Sequence, residues 1–275
     1  MKTILVPTDF SDNAMNAINY SAEIALFTKA KIILFHAFHI PTIPSDVPYV
    51  MPFDEIEKDA LNALTKTKEN IIHKYGKGLA IDCKATMGFA VDEINEMIHK
   101  LKIDLVIMGM NGGGYLSEKI VGSITTSLIR KAKCPVIAIG EHVKFKSIKK
   151  IVLACDYKKI DDISILEPLK EFIKLFKSHL YILNVNSEPG SMSSSEKSLG
   201  GAQLEHSFKE LDHSFNFIEN ENIVDGINQF VDANNVDMIV MIPRKHTWIE
   251  NLFQERNTKH MAFHSHIPLL ALHEK

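Results

Sequence analysis

The chain is poor in the residues that build cross-linked or membrane-bound proteins. Of its 275 residues three are cysteine and one is tryptophan. Cys83, Cys134 and Cys155 are odd in number, far apart, and each sits in or beside an apolar run. That pattern fits buried thiols in a reducing compartment, not a disulfide frame or a metal knot. No apolar stretch is long enough to span a bilayer. The opening MKTILVPTDF has one lysine and a brief apolar run broken by Pro7 and Asp9, too short for a signal peptide core. A cytoplasmic protein with no membrane partner is expected. Net charge is −3 with no basic block, so nothing draws the chain non-specifically to nucleic acid.

Catalytic signatures are equally scarce. There is no G-x4-G-K-[ST], which excludes a P-loop NTPase, and no dinucleotide-binding glycines follow the first apolar run. His-Glu-x-x-His, a serine nucleophile elbow and an aspartate-rich cage are all missing. Among the 13 histidines, His260 and His264 share one helical face, with His266 and His246 as further candidates. Without carboxylates or cysteines at ligand spacing, scattered surface histidines are the plainer account, and no metal site is expected.

What the chain has is periodicity. Thr3 to Val6 is a short apolar strand, followed by PTDFS, where Ser11 is placed to cap a helix. Ala14, Ala17, Ile18, Ser21, Ala22, Ala25 and Leu26 share one face of that helix. Ile32 to Ala37 is nearly all apolar, as parallel strands covered on both faces are. Prolines 41, 44, 48 and 52 mark an extended loop, and Asp54 to Tyr75 is helical, stopping at Gly76. Leu79 to Ala85 alternates like a half-buried or edge strand, and Asp92 to Leu101 is helical. Leu105 to Met108 is a buried strand, Ile124 to Lys133 a helix, and Val136 to Ile139 a last strand. This alternation predicts a doubly wound sheet, with ligands outside the carboxyl ends of its strands. In the order 3-2-1-4-5, the first and fourth strands are neighbours. PTDFS and the glycine stretch after Met108 then frame one cleft.

After Gly140 the polar EHVKFKSIKK serves as a linker, and the pattern restarts. KKIVLACD answers KTILVPTD, with Asp156 in the place of Asp9. HLYILNVN answers KIILFHAF, Ser187 to Gly201 is a Ser/Gly-rich loop, Phe215 and Phe217 lie in a short strand, and Ile223 to Asn234 is a helix. A constant offset of 133 relates Asp104 to Asp237 and Pro135 to Pro268. The expected fold class is α/β: two repeated doubly wound domains, residues 1–142 and 148–275. Each is a five-stranded, mostly parallel sheet with helices on both faces. The period is too long for a solenoid.

Gly109, Gly112, Gly113 and Gly114 follow the fourth strand, and Gly122-Ser123 stands directly before a helix. Glycines let backbone N–H groups approach an anion, and the helix start adds unpaired N–H groups and the positive end of its dipole. In the second copy Gly109, Gly112, Gly122 and Ser123 become Ile242, Lys245, Glu255 and Arg256. A glutamate at the helix start repels phosphate, so that half keeps the architecture without the phosphate site. Arg244, Lys245 and Arg256 are best taken as solvated surface charge.

PTDFS, then Gly109-x2-Gly112-x9-Gly122-Ser123, resembles the universal stress protein family, whose nucleotide-binding members carry G-x2-G-x9-G-[ST]. The resemblance covers both halves and implies a tandem member that binds ATP, or AMP or ADP, with Mg alongside. It places Pro7, Thr8 and Asp9 at the adenine and ribose end and Ala37, where valine is usual, in the adenine pocket. Met108, Gly109, Asn111 and Gly112 would hold ribose and phosphates, with Gly122, Ser123, Ile124 and Thr125 at the helix end. It also implies a stress-response or regulatory role, with hydrolysis slow at most and no catalytic residue assigned. A non-nucleotide scaffold and a weak ATPase stay open as alternatives. The last strands of the two halves are apolar and would sit at sheet edges, where they invite pairing into an internal pseudo-dimer or a homodimer.

Overall fold

In a computed structural model of the chain, residues 1–39, 53–110, 122–157, 160–187, 194–243 and 267–273 are described. The first half runs β1 (Thr3–Pro7), α1 (Asp12–Thr28), β2 (Lys31–Phe38), α2 (Phe53–Tyr75), β3 (Ile81–Met87), α3 (Ala90–Leu101), β4 (Leu105–Gly109), α4 (Ser123–Lys131) and β5 (Val136–Ile139). The second runs β6 (Lys150–Ala154), α5 (Glu167–Phe176), β7 (His179–Asn186), α6 (Ser194–Phe208), β8 (His213–Glu219), α7 (Ile223–Asn234), β9 (Met238–Met241) and β10 (Leu269–Ala271). All ten strands form one sheet in the order β3-β2-β1-β4-β5-β10-β9-β6-β7-β8. Each half therefore shows the order 3-2-1-4-5. The halves meet where β5 pairs antiparallel with β10, Ile137 opposite Leu270.

Local signals explain the boundaries. Ser11 caps α1 by accepting from the Ala14 N–H at 3.3 Å. Helix α2 ends before Gly76, whose φ of +91° suits a residue without a Cβ. Helices α1, α2, α5 and α6 bury their apolar stripes in a core that includes Ile18, Leu64, Phe172 and Phe208. That core is continuous across both halves. On the opposite face, α3 and α4 pack over Leu5 and Val106, and α7 packs over Val152 and Ile239.

The halves also share a device that spacing alone did not show. Asp104 Oδ2 accepts from the backbone N–H groups of Lys2 and Thr3 at 2.6 and 2.9 Å. Asp237 Oδ2 accepts from those of Lys149 and Lys150 at 2.8 and 2.9 Å. In each half the aspartate entering the fourth strand thus ties down the start of the first. Phe10 and its counterpart Tyr157 repeat as well, both left-handed with φ of 63° and 56°.

Several expectations need correction. The Ser/Gly-rich stretch from Ser187 is not all loop: α6 begins at Ser194. Leu204 and Phe208, one turn apart, are buried, and Gln203 exchanges two hydrogen bonds with the Ile160 backbone. Those anchors carry the helix through a composition of low propensity. The polar linker is packed, not loose. Val143 and Ile148 are buried, and Phe145 sits edge-on to Tyr20 of α1 and near Phe176 of α5. Leu26, expected on the inner face of α1, is exposed. A 3-10 turn at Ile163–Leu166 and helix α5 fill a stretch to which no element had been assigned. Strand β3 begins two residues later than the alternation suggested and reaches Met87.

Candidate functional site

Strands β1 and β4 are parallel neighbours, with Ile4 opposite Leu105 and Leu5 opposite Val106. Their carboxyl ends, Pro7 and Gly109, therefore reach the same rim of the sheet. At the end of β1 the chain turns sharply. The Thr8 N–H donates to the Phe35 carbonyl at 2.8 Å, and His36 Nδ1 donates to the Thr8 carbonyl at 2.8 Å. Thr8 is buried and its hydroxyl accepts from the Phe10 N–H at 2.9 Å. Asp9 is exposed, and its Oδ1 accepts from the Ser11 backbone at 3.1 Å and the Ser11 hydroxyl at 2.6 Å. Asp9 thereby orients the residue that caps α1. Ala37 is half-buried near the end of β2, in register with Thr86.

At the end of β4, Met108 and Gly109 are buried. A Cβ on Gly109 would lie 3.1 Å from the carbonyl carbon, carbonyl oxygen and Cγ of Asn13 in α1. A glycine is what lets the first turn of α1 press against the strand end. The Thr125 hydroxyl, also buried, donates to the Gly109 carbonyl at 2.9 Å. The Gly122 N–H donates to the Met110 carbonyl at 2.8 Å. Helix α4 thus starts against the same rim, fixed by two bonds to consecutive residues.

The start of α4 has the character of an anion cradle. Gly122 is its N-cap, with φ −63° and ψ 153°, and supplies no side-chain cap. The first turn contains no acidic residue, while Arg130 and Lys131 occupy the last. Ser123 and Ile124 are exposed. The structure therefore brings Pro7, Thr8, Asp9, Met108, Gly109, Gly122 and Thr125 to one rim. Asn111 and Gly112, with the glycines beside them, lie outside the described residues, as do Lys245, Glu255, Arg256 and the histidines from His246 to His266. Sequence reasoning missed Phe10 and His36, whose rings stand 4.8 Å apart beside the PTDFS turn. The left-handed backbone of Phe10 gives no sequence signal, because only glycine or asparagine would advertise it.

At the equivalent turn of the second half an aromatic residue packs inward. Tyr157 is buried, its hydroxyl donates to the Ile182 carbonyl at 3.3 Å, and its ring stacks on Phe217 at 5.3 Å. Burial pushes the phenol far above its usual pKa. Asn184, in the place of His36, donates to the Cys155 carbonyl at 3.0 Å as His36 does to the Thr8 carbonyl. Ile242, at the position of Gly109, belongs to the shared core.

These features coincide with what comparison finds. Residues 1–140 match the family model described as "Universal stress protein family". A universal stress protein of Methanocaldococcus jannaschii is 26% identical over 146 residues, covering 52% of this chain and 84% of the relative. Similarity in three dimensions extends over both halves. The crystal structure of a universal stress protein from Archaeoglobus fulgidus covers 99% of this chain and 96% of its own, with TM-score 0.71 at 16% identity. One from Pseudomonas aeruginosa gives TM-score 0.63 at 15% identity, covering 99% and 93%. With its first half matched in sequence and both halves sharing the fold, the chain belongs to the universal stress protein family.

Proposed function

We propose that the first half binds one adenine nucleotide, ATP foremost with AMP or ADP as alternatives, and that the chain works as a nucleotide-responsive stress or regulatory module. One observation carries this: α4 begins at a glycine cap with no acid in its first turn, at the rim where the PTDFS turn ends. Helix starts of that kind favour phosphate through their N–H groups and dipole. Gly122, Ser123, Ile124 and Thr125 would face the phosphates, and Met108, Gly109, Asn111 and Gly112 would hold ribose and phosphates. Asp9, an exposed acceptor, would take a hydrogen bond from ribose or adenine beside Pro7 and Thr8. Ala37 would line the adenine pocket. Magnesium would be held by the phosphates themselves.

Any turnover is expected to be slow, since Asp9 is the carboxylate of that turn and is held by Ser11. Phosphate release measured with and without magnesium tests this. A scaffold without nucleotide is favoured by one fact: Gly109 and Thr125 already have packing duties. The discriminating experiment is to denature the purified protein and chromatograph the supernatant for adenine nucleotide. Close to one nucleotide per chain, or a thermal shift with added ATP, is the expected result. Neither signal would leave the scaffold standing, and two nucleotides per chain would refute the single site.

A further inference from the structure

The antiparallel joint of β5 with β10 relates the two halves by an approximate two-fold axis, so each end of the joint has a counterpart at the other. One end holds the linker. The Asn16 side chain donates to the Gly140 and Val143 carbonyls at 2.9 and 2.8 Å. Phe145 packs against Tyr20 and Phe176, with ring centroids at 5.3 and 6.2 Å, and Lys146 pairs with Asp237 at 2.8 Å. Asn16, Tyr20, Phe176 and Asp237 thus make a bed for a peptide segment that packs inward through Val143, Phe145 and Ile148.

The other end holds a cavity of about 850 Å³, a size that suits a ligand or a few side chains. Helices α1 and α5 both finish at a left-handed lysine, Lys29 and Lys177. Counting back from these caps sets Thr28 in the place of Phe176, Pro168 in that of Tyr20 and Ser164 in that of Asn16, and Asp104 is the counterpart of Asp237. All four line the cavity. Three of them are smaller than their counterparts, so the bed is repeated with more room in it.

Its charges differ from those of the linker's bed. Phe27, Ile103, Ile165, Phe172 and Leu175 supply apolar walls, and Lys29, Lys102, Lys133 and Lys174 line the same space, all exposed. Among the described residues none of these lysines pairs with a carboxylate. The carboxylates of the lining are already engaged: Asp104 by the Lys2 and Thr3 N–H groups, Glu167 by Lys170 at 2.8 Å and Glu171 by the Met1 amino group at 3.3 Å. The linker of a second copy, with Lys144 and Lys146, would bring like charge to this lining.

We infer that the cavity docks a short, acidic, extended segment of a partner protein, with apolar side chains at the spacing of Val143, Phe145 and Ile148. Its aromatic residue enters beside Pro168 and Thr28, where the linker's bed has Tyr20 and Phe176. Its carboxylates meet the lysines, which select against basic segments. The cavity opens at the amino ends of β1 and β4, away from Pro7 and Gly109, so the inference is independent of nucleotide binding.

The test titrates the full chain into two labelled peptides capped at both ends: HVKFKSI, the linker's own sequence, and HVEFESI, its acidic form. HVEFESI should bind at least about tenfold more tightly than HVKFKSI, and should weaken as salt rises. Lys133→Glu with Lys174→Glu should lower its affinity at least about tenfold, as should Leu175→Glu on the apolar wall. These side chains are exposed, so circular dichroism should match wild type. No binding of HVEFESI up to about 1 mM overturns the inference. So does equal binding of the two peptides, an affinity untouched by the lysine reversals, or a cavity that takes dodecanoate but neither peptide.

Discussion

Gly109 and Gly122 both belong to the glycine motif, and the structure separates their duties. Gly109 meets Asn13 at 3.1 Å, so Gly109→Ala forces α1 away from the strand end. A cost of ~1–3 kcal/mol is expected in denaturant unfolding, with or without nucleotide. Gly122 sits in an extended conformation open to any residue. Gly122→Asp should improve the cap and add a charge suited to the dipole, raising stability by about 0.5 kcal/mol. The same carboxylate would occupy the proposed phosphate position, so calorimetry should show nucleotide affinity falling at least about tenfold. Stability and binding then move in opposite directions, which a purely structural glycine would not produce.

At the scale of elements, the paired aspartates show how a repeat is kept in register. Asp237 is 8% exposed and also meets Lys146 at 2.8 Å, whereas Asp104 is exposed. Removing a buried acceptor strands its donors. Asp237→Ala should therefore cost ~3 kcal/mol and Asp104→Ala about 1 kcal/mol, measured by urea denaturation. The strands and most helices were legible because apolar runs and 3.6-residue periodicity report directly on burial. The offset of 133 between Asp104 and Asp237 even anticipated the second copy of the fold. What stayed hidden depends on contacts between distant residues. Helix α6 rests on Gln203 binding Ile160, and the linker is buried by Tyr20 and Phe176. The rim was readable in its glycines and PTDFS, but Asn13, Phe10 and His36 were not, since their roles are set by packing and by a left-handed turn.

The whole molecule behaves as one sheet. β5 and β10 share a ladder, and a single core crosses the joint. A single cooperative melt is expected, and Leu270→Ala, at a fully buried position of that ladder, should lower the stability of the entire chain by ~2–5 kcal/mol. His273, beyond β10, donates from Nε2 to the Ile129 carbonyl near the end of α4 at 2.7 Å. Burial holds its imidazole below the usual histidine range, with Lys133 adding to the effect. The folded state thus keeps it neutral while the unfolded chain accepts a proton more readily. Its contribution is complete above the ordinary value of about 6.5 and is lost as pH falls below it. Unfolding free energies between about pH 8 and pH 5 should decline more steeply for wild type than for His273→Gln.

Because β10 runs against β5, the carboxyl ends of the two sets of strands point to opposite ends of the sheet. The rims of the two halves therefore lie at opposite ends of the sheet. A surface or protein gripping the second half at its own rim would leave the first half's rim facing away from it. If the first half binds nucleotide as proposed, immobilising the chain through that far end should leave nucleotide exchange rates unchanged.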